Sequence, residues 1–340
     1  MERVPYYVGV DIASKDFVAS ICDEPGHELG ILEDVENRPA GFQAFIKWLT
    51  RNKVTAENSI ICLENTGVYS EGFCYYLTVA KYRVTVVSPL HAKKRFTTLS
   101  KTDRIDAKQL AEYAYRYRDQ LTQWQPRDPV LEQVKTLYAT REHLTRQLIA
   151  NKNALTALER KVVQTKLATV SHRNMVVAIG QQIKAIDAEI KNLIDSDSTY
   201  RHLSDLADSV PGVGAALANS LLIMTDGFST TLEHKRLCSR LGIAPHQKES
   251  GTSVQYTPQS LRHGNTRIRK LLHLAARSVA THVAEFKQYF LRKLAQGKPK
   301  LLIYNNIANK LIKIIFAVIR SQKPYCKGYL SLNPMYLATV

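Results

Sequence analysis

Short apolar runs bounded by turn residues fill the first third of the chain. Residues 6–11 and 17–22 read as two strands, Glu24-Pro25-Gly26-His27 as a turn, and residues 29–35 as a third strand. The period then changes. Pro39 opens a segment in which Phe42, Phe45, Ile46 and Leu49 share one helical face. Ser59–Glu64 predicts a fourth strand, a helix follows near residues 71–82, and residues 84–87 predict a fifth strand that Pro89 ends. A basic triplet, Lys93-Lys94-Arg95, precedes a helix over residues 103–118.

Beyond this region the pattern is helical. Asp128-Pro129 predicts an N-cap followed by proline at the first helical position. A seam with alternating steps of four and three follows: Val130, Val134, Leu137, Arg141, Leu144, Leu148, Asn151, Leu155, Leu158 and Val162. A second seam runs through Val176, Ile179, Ile183, Ile186, Ile190 and Leu193. Two such helices can fold back as an antiparallel hairpin, pair between subunits as a coiled coil, or pack inside one globular domain. From about residue 200 helices resume, interrupted at Pro211-Gly212-Val213-Gly214 and over the polar stretch from Pro245 to Asn265. The end, residues 299–322, predicts one amphipathic helix.

Three consecutive strands followed by strands separated by helices is the order of the RNase H-like fold. The expected architecture is an α/β RNase H-like (RuvC-like) domain over residues 1–125 and a coiled-coil or helical hairpin over 126–199. A mainly α domain with a helix-hairpin-helix-like element follows over 200–340.

Charge narrows the partners. The 340 residues carry a formal net charge of +17. From Gly251 to the end there are fifteen Lys or Arg and a single acid, Glu285. Such a segment repels itself unless it faces a polyanion, which points to nucleic acid. The cysteines are odd in number, and no pair has CxxC spacing. That argues for a reducing cytoplasm, without a disulfide framework or a zinc site. Met1-Glu2-Arg3-Val4-Pro5 leads straight into a strand-like run, so no signal peptide is expected. The best apolar stretch, residues 311–319, is short and interrupted by Lys313, so no membrane span is expected.

The chemistry starts with four acids. Asp11 follows one apolar run and Glu64 ends another, while Asp103 and Asp106 are three apart and share a helix face. Phosphoryl transfer with two Mg2+ ions needs several converging carboxylates. An RNase H-like sheet supplies them from its first strand, its fourth strand and a late helix. Asp16, Glu33, Asp34 and Glu112 are left as surface acids. Gly212 and Gly214 permit a tight turn whose N–H groups and following helix N-terminus can hold a phosphate. A plain turn between packed helices is the alternative. Ser250 sits in Glu249-Ser250-Gly251-Thr252-Ser253, with Arg262, His263, Arg267, Arg269 and Lys270 downstream. These cations could hold a phosphate and stabilise a pentavalent transition state while a serine attacks DNA. From chemistry alone, Ser250 and Ser253 are equal choices.

These pieces together resemble a family. Gly9-Val10-Asp11, Leu63-Glu64-Asn65-Thr66-Gly67-Val68-Tyr69, Lys101-Thr102-Asp103-Arg104-Ile105-Asp106-Ala107, Pro211-Gly212-Val213-Gly214, Gly242-Ile243-Ala244-Pro245, Glu249-Ser250-Gly251-Thr252-Ser253 and Gly264-Asn265-Thr266-Arg267-Ile268-Arg269 occur in order. The chain resembles the insertion-sequence transposases with a RuvC-like N-terminal domain and a serine-bearing C-terminal domain, known as bridge-RNA-guided recombinases. The resemblance implies that Asp11, Glu64, Asp103 and Asp106 bind Mg2+ and that Ser250, not Ser253, is the nucleophile. It also implies a coiled coil used in assembly and a composite site shared between subunits of a homo-oligomer, dimer or tetramer. A structured guide RNA would pair with double-stranded donor and target DNA. Two other readings stay open: a metal-only RuvC-like nuclease on branched DNA with Ser250 structural, and a non-catalytic nucleic-acid scaffold.

Overall fold

Alternation along the first strands decides the sheet. In the computed structural model, which describes residues 5–89, 102–229, 233–250, 254–260 and 264–327, the chain forms two compact units, Met1–Pro126 and Arg127–Val340. Lys93, Lys94, Arg95, Ser253 and Arg262 lie outside the described residues.

In the first unit β1 (Tyr6–Ile12), β2 (Asp16–Glu24), β3 (His27–Glu36), β4 (Ser59–Glu64) and β5 (Arg83–Val87) form one sheet of order β3-β2-β1-β4-β5. The first three pair antiparallel, and β4 and β5 join parallel to β1. This mixed sheet is consistent with the expected RNase H-like domain. One face carries Val8, Val10, Ile12, Ile61 and Leu63, covered by Phe42, Phe45 and Leu49 of α1 (Pro39–Arg51) and Phe73 and Leu77 of α2 (Val68–Val79). Helix α2 starts at Val68, earlier than expected. Gly67 turns the chain there at φ +71°, and Val68 and Tyr69 of the first turn are exposed, so apolar periodicity could not report them.

The other face carries Tyr7, Ile60 and Cys62 against Leu110, Ala111 and Ala114 of α3 (Asp103–Tyr117). Gly9 permits this packing. A Cβ built there would lie 2.0 Å from the Ala107 carbonyl oxygen and 2.3 Å from the Ala111 nitrogen, so the helix backbone rests directly on the strand.

The second unit begins with α4 (Pro129–Glu159), capped as expected: the Asp128 carboxylate accepts from the N–H groups of Val130 and Leu131. It folds back against α5 (Lys166–Ser196) within the chain. Polar seam residues are matched across the pair. Asn151 Oδ1 and His172 Nδ1 are 2.8 Å apart, and Arg141 Nη2 donates to Asp187 at 3.0 Å. Only the base of the hairpin is deeply buried: Leu131, Val134, Tyr138, Ile190 and Ile194 share a core with the helices that follow. Those are α6 (Ser198–Asp208), α7 (Ala215–Met224), α8 (His234–Arg240), α9 (Thr266–His282), α10 (Ala284–Ala295) and α11 (Lys300–Ser321). Helix α11 is long and apolar enough by composition to cross a membrane. Its Ile303, Ile307, Leu311 and Ile315 are nevertheless fully buried in this core.

Two strands break the helical pattern. β6 (Pro245–Ser250) and β7 (Val254–Ser260) form an antiparallel hairpin with Pro245 opposite Ser260 and Ser250 opposite Val254. The polar stretch read as an interruption is therefore a ribbon. The available signal was the period-two run Val254-Gln255-Tyr256-Thr257.

Arg267, expected as a phosphate ligand, is engaged within its own unit. Its guanidinium carbon stands 4.3 Å from the centre of the Tyr138 ring, and Nη1 donates to the Tyr138 carbonyl at 3.2 Å. Burial pulls its pKa below the usual arginine value. The residue clamps α9 to the hairpin base.

Two outcomes follow. Gly9→Ala should lower stability by about 1–3 kcal/mol in urea unfolding, because α3 must lift from β1. Unchanged stability would mean that the close contact does not exist. Arg267→Ala should lower stability by about 1–3 kcal/mol through loss of the guanidinium's stacking on the Tyr138 ring and of its hydrogen bond to the Tyr138 carbonyl. Its salt slope for DNA binding should stay that of the parent protein. A slope reduced by about one would return Arg267 to the phosphate contacts.

Candidate active site

Strand faces and register bring the first two acids together. Tyr7, Gly9 and Asp11 alternate onto the α3 face of β1, and Ile60, Cys62 and Glu64 onto the same face of β4. Val10 pairs with Leu63 in the parallel register, so Asp11 and Glu64 are the next residues on neighbouring strands. Both are half-buried, at the carboxyl ends of parallel strands, where open α/β sheets present their ligand crevice.

Helix α3 supplies the other two acids because it runs opposite to β1. The Tyr7 and Tyr115 rings meet edge-on at 5.2 Å, and Gly9 abuts Ala107 and Ala111. Two further residues of strand advance about 6.6 Å, the rise of about four residues of helix. Asp11 is thereby level with the first turn of α3, which carries Asp103 and Asp106. Thr102 caps that turn, its hydroxyl accepting from the Ile105 N–H at 3.3 Å. Asp106 is half-buried and Asp103 exposed.

Neighbouring charges are committed elsewhere. Arg104 on the same turn pairs with Glu28 at 3.3 Å and with Glu33 at 3.9 Å, both on β3. Glu112 accepts from the Gly26 N–H at 3.1 Å and pairs with Arg116 at 3.3 Å, tying α3 to the β2–β3 turn. Glu33 and Glu112, read as surface acids, are thus structural partners. After Glu64 the chain is fixed by Asn65, whose side-chain oxygen accepts from Gly67 N–H at 3.2 Å and whose own N–H donates to Val87 at 2.9 Å.

A divalent cation is tested by this donor set. Among the described residues no three His, Cys, Asp or Glu side chains converge closely enough to hold a metal unaided. Mg2+ does not require that. It keeps several waters and takes one or two carboxylates together with substrate phosphates, and all four donors here are hard oxygens. Thr66, two residues after Glu64, buries a hydroxyl with no hydrogen-bond partner, a polar atom still to be satisfied at this end of the sheet. The acids therefore fit a magnesium site that substrate completes. The thiols do not compete: burial pushes Cys22, Cys62 and Cys74 up to about 12.

The remaining expected residues lie in the second unit. Ser250 is the last residue of β6, at the tip of the ribbon. Gly212 takes φ +78° and faces α9, where a Cβ would lie 2.6 Å from Val279 Cγ1, so it serves packing. Gly214 caps α7 in open space, where a backbone N–H can meet an anion. Arg269 donates to Thr266 Oγ1 at 3.2 Å, and with Lys270 it lines a cavity of about 1130 Å³ beside the ribbon base. The sequence reading missed that His273, Tyr304 and Asn306 share this cavity. The i,i+4 spacing of Arg269 and His273 was the only signal on offer.

Comparison with known proteins bears on this arrangement. A DEDD transposase model of IS110 elements, described as "Transposase", matches residues 8–162, a span that contains all four acids. A second model, described as "Transposase IS116/IS110/IS902 family", matches residues 204–291, which contain Ser250. A pilin gene-inverting protein of Moraxella bovis is 28% identical over 325 residues, covering 94% of this chain and 98% of that protein. The transposase for insertion sequence element IS1111A of Coxiella burnetii is 23% identical over 269 residues, 72% of this chain and 73% of that one. Two models in chain order, with one relative matched over nearly its whole length and another over about three quarters, make the conclusion direct: the chain belongs to the IS110/IS116/IS902 family of transposases.

Proposed function

We propose that this transposase cuts and rejoins insertion-element and target DNA through a phosphoester on Ser250, with Mg2+ held by Asp11, Glu64, Asp103 and Asp106. The observation that supports this most is the acid arrangement. Two carboxylates lie side by side at the ends of parallel strands, level with a helix turn that bears two more. When bound, magnesium would neutralise phosphate charge and lower the pKa of an attacking hydroxyl.

The chain's own part is as follows. The Ser250 hydroxyl attacks the scissile phosphorus and loses its proton, and one DNA oxygen leaves as a hydroxyl. The phosphoserine ester keeps the energy of the broken phosphodiester, so a DNA hydroxyl from the other duplex can displace serine and reseal the strand. No external energy source is needed. Inversion, the outcome that gives the Moraxella relative its name, requires the same sequence of cutting, exchange and rejoining. Lys270 and Arg269 would hold phosphates near the ribbon, with Gly214 N–H as a further donor.

Assembly and targeting complete the proposal. Leu144, Leu148, Leu155 and Leu158 stay half-buried in the hairpin, and Ile149, Val170 and Met175 are exposed, which supports pairing with another chain as a coiled coil. Acids of one subunit would then meet Ser250 of another in a dimer or tetramer. A structured guide RNA from the element would choose the sites by pairing with donor and target.

Asp11→Asn and Asp106→Asn should each abolish strand cleavage while circular dichroism and unfolding midpoints stay close to the parent. EDTA should do the same to the parent protein, and full cleavage in EDTA would remove the metal from the account. A denaturing gel of labelled DNA tests the serine. Ser250→Ala should lose all covalent adduct and all strand exchange, while Ser253→Ala keeps part of both. An adduct that persists in Ser250→Ala, or recombination with no adduct in any variant, would favour the metal-only nuclease.

A further inference from the structure

We propose that the cavity beside the ribbon base holds one unpaired DNA nucleotide, with its base against Tyr304 and its phosphate on Arg269 and Lys270; this rests on the reading of Ser250 as the group that attacks DNA. The cavity, about 1130 Å³, has room for a nucleotide and its backbone. Among the described residues no acid lines it, whereas Arg269, Lys270 and His273 all do. Most of its lining belongs to the segment that carries fifteen Lys or Arg against a single acid, so its field favours a polyanion.

A phosphate cleft alone would not need its other wall. Tyr304 is stacked on Phe290 at 5.1 Å with an interplanar angle of 23°, and His273 meets it edge-on at 5.4 Å. Held on two sides, Tyr304 remains half-buried, and the part of its ring that lines the cavity is a stacking surface fixed at little entropic cost. Leu301, 72% exposed, and Leu274, 58% exposed, extend that surface outward as apolar area a base can cover. Asn306 adds an amide able to donate and accept at a base edge. Ring, apolar rim, amide and cations within one cleft are the parts that hold an extruded base with its phosphate.

Position links the cleft to the chemistry. Pro245 and Ser260, which pair at the base of the ribbon, line the cavity, and Ser250 is at the other end of β6. Five strand residues span about 17 Å. One DNA strand advances about 3.4 Å per step, so the held nucleotide lies about five steps from the phosphate that Ser250 attacks. Extruding a base at that distance fixes the register of the strand on the ribbon, and it favours sites whose duplex opens easily there.

The test uses the full chain and fluorescence anisotropy on three labelled DNA duplexes: fully paired, with one bulged thymidine, and with one bulged abasic site. A fourth probe carries a bulged uridine in RNA. The parent protein should bind the thymidine bulge about tenfold more tightly than the abasic bulge, the value of one stacked base. Tyr304→Leu should lose that preference and Tyr304→Phe should keep it. Lys270→Ala should weaken binding to all three DNAs and lower the salt slope by about one. Equal affinity of the parent for thymidine and abasic bulges would overturn the proposal, as would a preference that survives Tyr304→Leu. Tighter binding to the RNA bulge than to the DNA bulge would overturn the assignment to DNA. The parent comparison stands even where Tyr304→Leu fails to fold. None of these readouts requires a serine adduct, so failure of the Ser250 reading leaves a base preference visible on its own.

Discussion

The contact between Gly9 and the backbone of α3 is the constraint on which the acidic centre depends. With hydrogen as its side chain, Gly9 lets the Ala107 carbonyl and the Ala111 N–H approach β1 where any other residue would collide. That closeness sets the height of α3 over the sheet, and the Tyr7–Tyr115 ring pair sets its slide along the strand. Together they bring the first turn of α3 level with Asp11 and Glu64. Two carboxylates in that first turn are tolerated partly because the N-terminal end of a helix carries partial positive charge. Arg104 does not neutralise them, since β3 takes its guanidinium. The partner proposed for the acids is a divalent cation.

The second unit solves a different problem, holding a two-stranded ribbon that is too small to be stable alone. It does so from below. Gly264 takes φ +94° against the Arg240 carbonyl, where a Cβ would lie 1.9 Å from the oxygen, so the chain leaving the ribbon is pressed against the end of α8. Asn305 and Asn309 of α11 both donate to the Ile243 carbonyl, at 2.9 and 3.0 Å, just before β6. Arg267 then ties α9 to the hairpin base through Tyr138. The base of the ribbon is anchored on three sides while Ser250 is at the opposite end, an arrangement that suits the nucleophilic role proposed for it.

Sequence pattern read the first unit well because its sheet is buried on both faces in the middle and cut sharply by turns. Apolar runs ending in Asp11 and Glu64 are visible without coordinates, and so is the shared face of Asp103 and Asp106. What pattern does not carry is the identity of a partner. Arg267 sits among arginines in a basic segment, and nothing local separates the one stacked on Tyr138 from those facing the cavity. Gly212 and Gly214 look alike in sequence, yet one is pressed against α9 and the other opens a helix. The ribbon was missed because Pro245, Pro258 and many polar residues hide a short period-two signal. The hairpin was legible as two seams, but whether they close on each other is a matter of chain reversal between Glu159 and Lys166, which periodicity does not encode.

The division of charge between the units has a mechanistic logic. Carboxylates that hold a metal repel a phosphate backbone until the cation is in place, so they are poor at capturing DNA. A segment with fifteen basic residues and one acid captures DNA readily but offers no stable ligand set for a divalent cation. In the proposed mechanism the nucleophile belongs with the bases. A serine carried on the DNA-holding unit stays beside its phosphate after the bond is made, whereas the acids are needed only while a bond is breaking or forming. Strand exchange requires the captured end to be held covalently while its new partner arrives. The residues proposed for the site are divided in keeping with that requirement: Ser250, Arg269 and Lys270 on one unit, and Asp11, Glu64, Asp103 and Asp106 on the other.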